Sequence, residues 1–154
     1  MSRFHRILVA VDGSAGSELA LDEAIRLAQT QGAQLRLVHV MDELKWVNGF
    51  ESARAYFDDV LPRMRKAGED LLARGLSRAI TADVQVESEL VIQSAGRASD
   101  NIADEARRWD ADLVVAGTQG RHGVDRVLLG STAEQIVRHA SAPVLLVRAH
   151  APAA

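Results

Sequence analysis

Residues 117 to 132, GTQGRHGVDRVLLGST, follow directly on the apolar run DLVVA and concentrate glycine with paired hydroxyls. Gly117, Gly120, Gly130, Ser131 and Thr132 are the residue types that hold a phosphate at a strand-to-helix junction. Glycines lacking Cβ let backbone amides approach an anion and permit positive φ. A helix starting near Ser131 leaves amides without intrahelical acceptors and carries partial positive charge, which a phosphate satisfies. The hydroxyls of Ser131 and Thr132 are further donors, and Arg121 and Arg126 are available cations. A second reading stays open. Ser131 with Glu134 three residues on fits a capping box, and Gly117 and Gly120 then only turn the chain. The pattern is neither GxxxxGK[ST] nor GxGxxG.

Other chemistry is sparse. Asp12, at the end of RILVAV, could accept hydrogen bonds from hydroxyls, help hold a divalent ion, or merely cap the turn DGSAGS. The five histidines are scattered, without a ligand-type pair. His39 within a strand reads as structural, and His139 near a helix C-terminus complements the dipole. His122 is the one histidine placed for a phosphate role. VDGSAG does not match the GxSxG nucleophile elbow, and no base is identifiable beside Ser14. Dedicated catalysis is therefore not expected. The absence of cysteine excludes disulfides, thiolate nucleophiles and cysteine metal clusters.

The elements that must position these residues follow from periodicity. RILVAV (6–11), LRLVHV (35–40), DLVVA (112–116) and VLLV (144–147) read as buried strands. DVQVESELV (83–91) alternates apolar with polar, as a half-exposed edge strand does. Leu21, Ala24, Ile25 and Ala28 mark one helix, which Gly32 ends. A second is predicted over about 54–76, with Phe57, Leu61, Met64, Leu71 and Leu72 on or near its buried stripe. Pro62 should break or kink it, and Gly75 should lie at its end. A third carries Ile102, Ala106 and Trp109. The last carries Ala133, Ile136, Val137 and Ala140. Residues 41–53, with Trp46, Phe50 and the Asn48-Gly49 turn, read as a long loop, either a lid or a partner patch or self-packed.

Strict βα alternation predicts one α/β domain over 1–149: a five-stranded parallel sheet with helices on both faces, Rossmann-like. Residues 150–154 read as a frayed tail. Ligands of such sheets bind beyond the strands' carboxyl ends, where strand order reverses.

Bulk properties agree. The chain has 154 residues, enough to bury roughly two-thirds of its unfolded surface. With 18 basic and 21 acidic residues it lacks the excess charge of a general nucleic-acid binder. It holds no apolar run of the roughly 18 residues that span a membrane, and MSRFHRILVAVDGS lacks a signal-peptide pattern. A cytoplasmic protein is expected.

RILVAVDGS, LRLVHV, DLVVAGTQGRHG and LLGSTAEQIVRHASAPVLLVR together resemble the universal stress protein family, ATP-binding type, over nearly the whole chain. The spacing Gly117-x2-Gly120-x9-Gly130-Ser131 is similar to that family's nucleotide signature. The resemblance implies an adenine nucleotide α-hydrolase-like fold that binds ATP or another adenylate, with Mg²⁺ as an optional companion. By position, it implies that the backbone of Ala10 and Val11 and the Asp12 carboxylate flank the nucleoside. Val40 would meet the adenine edge, Ala116 and Gly117 would line the wall, and Gly120, Gly130, Ser131 and Thr132 would hold ribose and phosphates. It further implies a homodimer through Val144, Leu145, Leu146 and Val147, acting in stress response or signalling. Gln119 and His122 depart from the family, which more often has a histidine and a small polar residue there. A slow ATP hydrolase or phosphotransferase and a nucleotide-free interaction module are the alternatives.

Overall fold

The computed structural model describes residues 4–42, 53–93, 96–119 and 129–148. Five strands, β1 (Arg6–Ala10), β2 (Gln34–Asp42), β3 (Val86–Gln93), β4 (Leu113–Gly117) and β5 (Val144–Val147), form one sheet. Its order is β3-β2-β1-β4-β5, and every pairing is parallel. Helices α1 (Ala15–Gln31), α2 (Leu61–Thr81), α3 (Ala98–Arg108) and α4 (Ser131–His139) cover it.

The apolar runs are continuous because the central strands are buried on both faces. On one side, Ile7, Val9, Leu35, Leu37, Leu113 and Val115 pack against Leu21, Ala24 and Leu72 of α1 and α2. On the other, Leu8, Val38, Val114 and Ala116 pack against Ile102, Ala106 and Ile136 of α3 and α4. Successive strand residues thus feed opposite cores, as the pleat requires. β3 is half-buried along most of its length, as its alternation predicts.

The ends of α2 depart from the sequence-based expectation. Gly75 does not stop the helix. It is buried in mid-helix, where an added Cβ would overlap Leu37 Cδ2 and come within 3.3 Å of Leu21 Cδ2. Here glycine serves a close approach to the sheet. The helix runs on to Thr81, and Asp83, at φ 61, turns the chain towards β3.

Nor does Pro62 break the helical path. A short helical lead-in, Ala53–Ala55, and a π turn, Tyr56–Val60, precede α2. The Leu61 amide bonds the Tyr56 carbonyl five residues back, and Pro62 then sits in the first turn of α2, where its missing N–H costs little. The extra residue of the π turn also shifts the buried stripe. Tyr56 takes the inward place, while Phe57 is 61% exposed and lies edge-to-face on the Tyr56 ring. Val137, expected on the inner face of α4, is also exposed; Ala133 and Ile136 carry that face.

Candidate functional site

A cavity of about 690 Å³ opens beyond the carboxyl ends of β1, β2 and β4. This is where strand order reverses, since β1 lies between β2 and β4. Ala10, Val11, Asp12, Val40, Ala116, Gly117, Gly130, Ser131 and Thr132 all border it. Gly120, Arg121 and His122 lie outside the described residues, as do Arg126, Trp46, Phe50 and the 150–154 tail. Met41 and Asp42, expected to begin a loop, extend β2 and line the cavity.

The Asp12 turn is built locally. Ser14 N–H donates to Asp12 Oδ1 at 2.8 Å, and Asp12 N–H donates to Ser17 Oγ at 3.2 Å. Ser17 N–H in turn donates to Ser14 Oγ at 3.2 Å, so Ser14 is the N-cap of α1. Asp12 therefore caps the turn with one oxygen. Its Oδ2 has no hydrogen-bond partner among the described residues, and its side chain is at the cavity. His39 also borders the cavity and ties β2 to the end of β1, because its Nδ1 lies 2.8 Å from the Val11 carbonyl. A carbonyl only accepts, so Nδ1 carries the hydrogen.

The start of α4 differs from a capping box. Gly130, at φ −61 and ψ 151, is the N-cap, and no side chain caps it. Ser131 is the first helical residue. Gly130 N–H donates to the Thr118 carbonyl at 2.7 Å, which brings the chain back to the exit of β4. Glu134 N–H donates to the Gly130 carbonyl at 3.0 Å and begins the helical ladder. The amides of Ser131, Thr132 and Ala133 precede that ladder and have no acceptor among the described residues. All three residues border the cavity.

Gly117 is the last residue of β4, and its backbone touches α1. A Cβ there would stand 2.8 Å from the Gly16 carbonyl carbon and oxygen and 3.2 Å from Ser17 N. A Cβ on Gly16 would stand 2.6 Å from the Gln119 carbonyl oxygen. The two glycines let the first turn of α1 settle on the β4 exit, which fixes the cavity floor. Sequence reasoning missed this pairing, although DGSAGS marked Gly16 as a turn residue.

It also missed the wall that α2 contributes, including Arg63, Met64 and Gly68. A Cβ on Gly68 would come within 2.9 Å of Leu90 Cδ1 and 3.0 Å of His39 Cδ2. Glycine there lets α2 close over β2 and β3.

Asp12 and Asp42 are the acidic residues at the cavity, and among the described residues no group of three or more acidic or histidine side chains could hold a metal. A companion Mg²⁺ would have to be carried mainly by phosphate oxygens, its usual mode. No helix among the described residues is long and apolar enough to cross a membrane.

The family model described as "Universal stress protein family" matches residues 3–148. Universal stress protein YxiE of Bacillus subtilis (strain 168) is 31% identical over 150 residues, covering 94% of this chain and 99% of that protein. The solved structure of universal stress protein UspA from Lactobacillus plantarum superposes with a TM-score of 0.81 at 26% identity, covering 96% and 100% of the two chains. A universal stress protein crystallised in complex with cAMP superposes at 0.72 and 25% identity, covering 97% and 100%. The chain belongs to the universal stress protein family.

Proposed function

We propose that the protein binds an adenine nucleotide, ATP or a related adenylate, in the cavity at the strand-order reversal. The observation that carries this reading is the uncapped start of α4, where Ser131, Thr132 and Ala133 border the cavity and their amides have no acceptor among the described residues. An anion supplies the acceptors that no described side chain supplies. The Ser131 and Thr132 hydroxyls add donors. Gly117 and Ala116 form the adjoining wall, and the sequence runs on from them to Gly120, Arg121 and His122. Asp12 Oδ2 is the acceptor for a sugar hydroxyl. Val11, Ala10 and Val40 flank the nucleoside, with the base towards β2. The binding of cAMP by a family member of the same fold supports the choice of adenylate.

The nucleotide acts as a signal in a cytoplasmic stress-response module. That module is a homodimer through β5, an edge strand whose Val144, Leu145, Leu146 and Val147 are all half-buried.

Isothermal titration with ATP and AMP tests the reading. Saturable heat with both is expected. No heat from either at millimolar nucleotide would reject it.

A further inference from the structure

Arg63 is set apart among the cations of its helical segment. Arg54 pairs with Asp58 at 3.5 Å, Lys66 pairs with Asp70 at 3.5 Å, and Arg78 holds both Glu18 and Asp22. Arg63 has no carboxylate partner among the described residues, and it borders the cavity. Arg65 and Arg74 also lack one, but neither borders the cavity.

At the helical spacing of four residues, the candidate partner before Arg63 is Asp59. Asp59 lies in the π turn Tyr56–Val60 and makes no ion pair with Arg63. Four residues further on stands Ala67, which offers no charge. Single π turns inside helices recur at functional sites, and this one leads directly into the first turn of α2, where Arg63 borders the cavity.

Its position identifies which end of a ligand it meets. Gly68 packs at the level of His39 and Leu90, and Arg63 lies five residues nearer the helix start, about 7.5 Å further along the axis. α2 covers β2 and β3, whereas the open amides of α4 stand by β4. β2 and β4 are two strand spacings apart, about 10 Å. Arg63 thus lies at the far end from the proposed phosphate seat, on the α2 wall that also brings Met64 and Leu71 to the cavity. That neighbourhood suits a flat aromatic ring, and a guanidinium plane stacks on such rings.

We propose that Arg63 is a ligand-contacting residue that lies against the face of the bound purine. The inference rests on the adenylate reading above. It is tested by titrating adenosine, AMP and ATP into wild type, Arg63→Met and Arg63→Lys, with thermal melts confirming the fold of this exposed position. Arg63→Met is expected to weaken all three ligands by the same factor, about three- to thirtyfold. Arg63→Lys keeps the charge but not the plane, and should not recover wild-type affinity. The proposal is overturned if adenosine binding is unchanged in Arg63→Met, if the loss grows with phosphate number, or if lysine restores binding fully. Wild type failing to bind all three ligands would instead remove the adenylate reading, and this inference with it.

Discussion

Ser131→Pro is expected to reduce ATP affinity about 100-fold while shifting the melting temperature by no more than about 2 °C. The fold should tolerate proline because Ser131 is the first residue of α4, where an amide has no intrahelical acceptor and the ring presets φ. Proline also forces its predecessor into extended backbone, and Gly130 is already there at φ −61 and ψ 151. What the change removes is one amide and one hydroxyl at the cavity. Hydrogen bonds to a charged group contribute about 1.5–3 kcal/mol each, so losing two reaches the 100-fold range. Ser131→Ala removes the hydroxyl alone and should cost about tenfold, which isolates the amide. Calorimetric titration of the two variants, with melting curves for each, is the check. Wild-type affinity in a folded Ser131→Pro protein would show that this amide does not touch the ligand.

Gly117→Ala carries the largest expected effect on stability, a loss of about 3 kcal/mol, or a melting temperature lower by about 6–12 °C for a chain of this size. The new methyl would stand 2.8 Å from the Gly16 carbonyl carbon and oxygen. Those are backbone atoms in the first turn of α1, and that turn is held by the Ser14 cap and the Asp12 hydrogen bonds. Unlike the tip of a side chain, they cannot swing aside. α1 must lift from β4, which also opens the packing of Val9, Leu21 and Val115 beneath it. Differential scanning calorimetry measures the loss directly. An unchanged melting temperature would mean that the α1–β4 contact is looser than described.

Much of the architecture was readable from local pattern. RILVAV and DLVVA identify central strands because alternate residues fill two separate cores, so every position must be apolar. The position of the cavity follows from βα alternation, and Asp12, Val40, Gly117 and Gly130 border it. What escaped depended on contacts distant in sequence. Gly75 carries the composition of a helix stop, yet its role is set by Leu37. Gly117 reads in sequence as a glycine for phosphate approach, but its sharpest constraint is the backbone of Gly16. Phe57 and Tyr56 exchange the roles that regular helical spacing assigns them, because the π turn adds a residue that no 3.6-residue period contains. Ser131 and Glu134 satisfy a capping-box pattern, but Gly130 takes the cap position once its amide is bonded to Thr118. The α2 wall, Arg63 included, was invisible because only tertiary packing brings that helix to the strand ends.

The decisive measurement is a crystal structure of the protein grown with ATP or AMP. The predicted result is a phosphate oxygen within about 3 Å of the Ser131 or Thr132 amide nitrogen, with the base directed towards Val40. Nucleotide bound elsewhere on the surface, or those amides covered by the protein's own side chains at saturating nucleotide, would contradict the account.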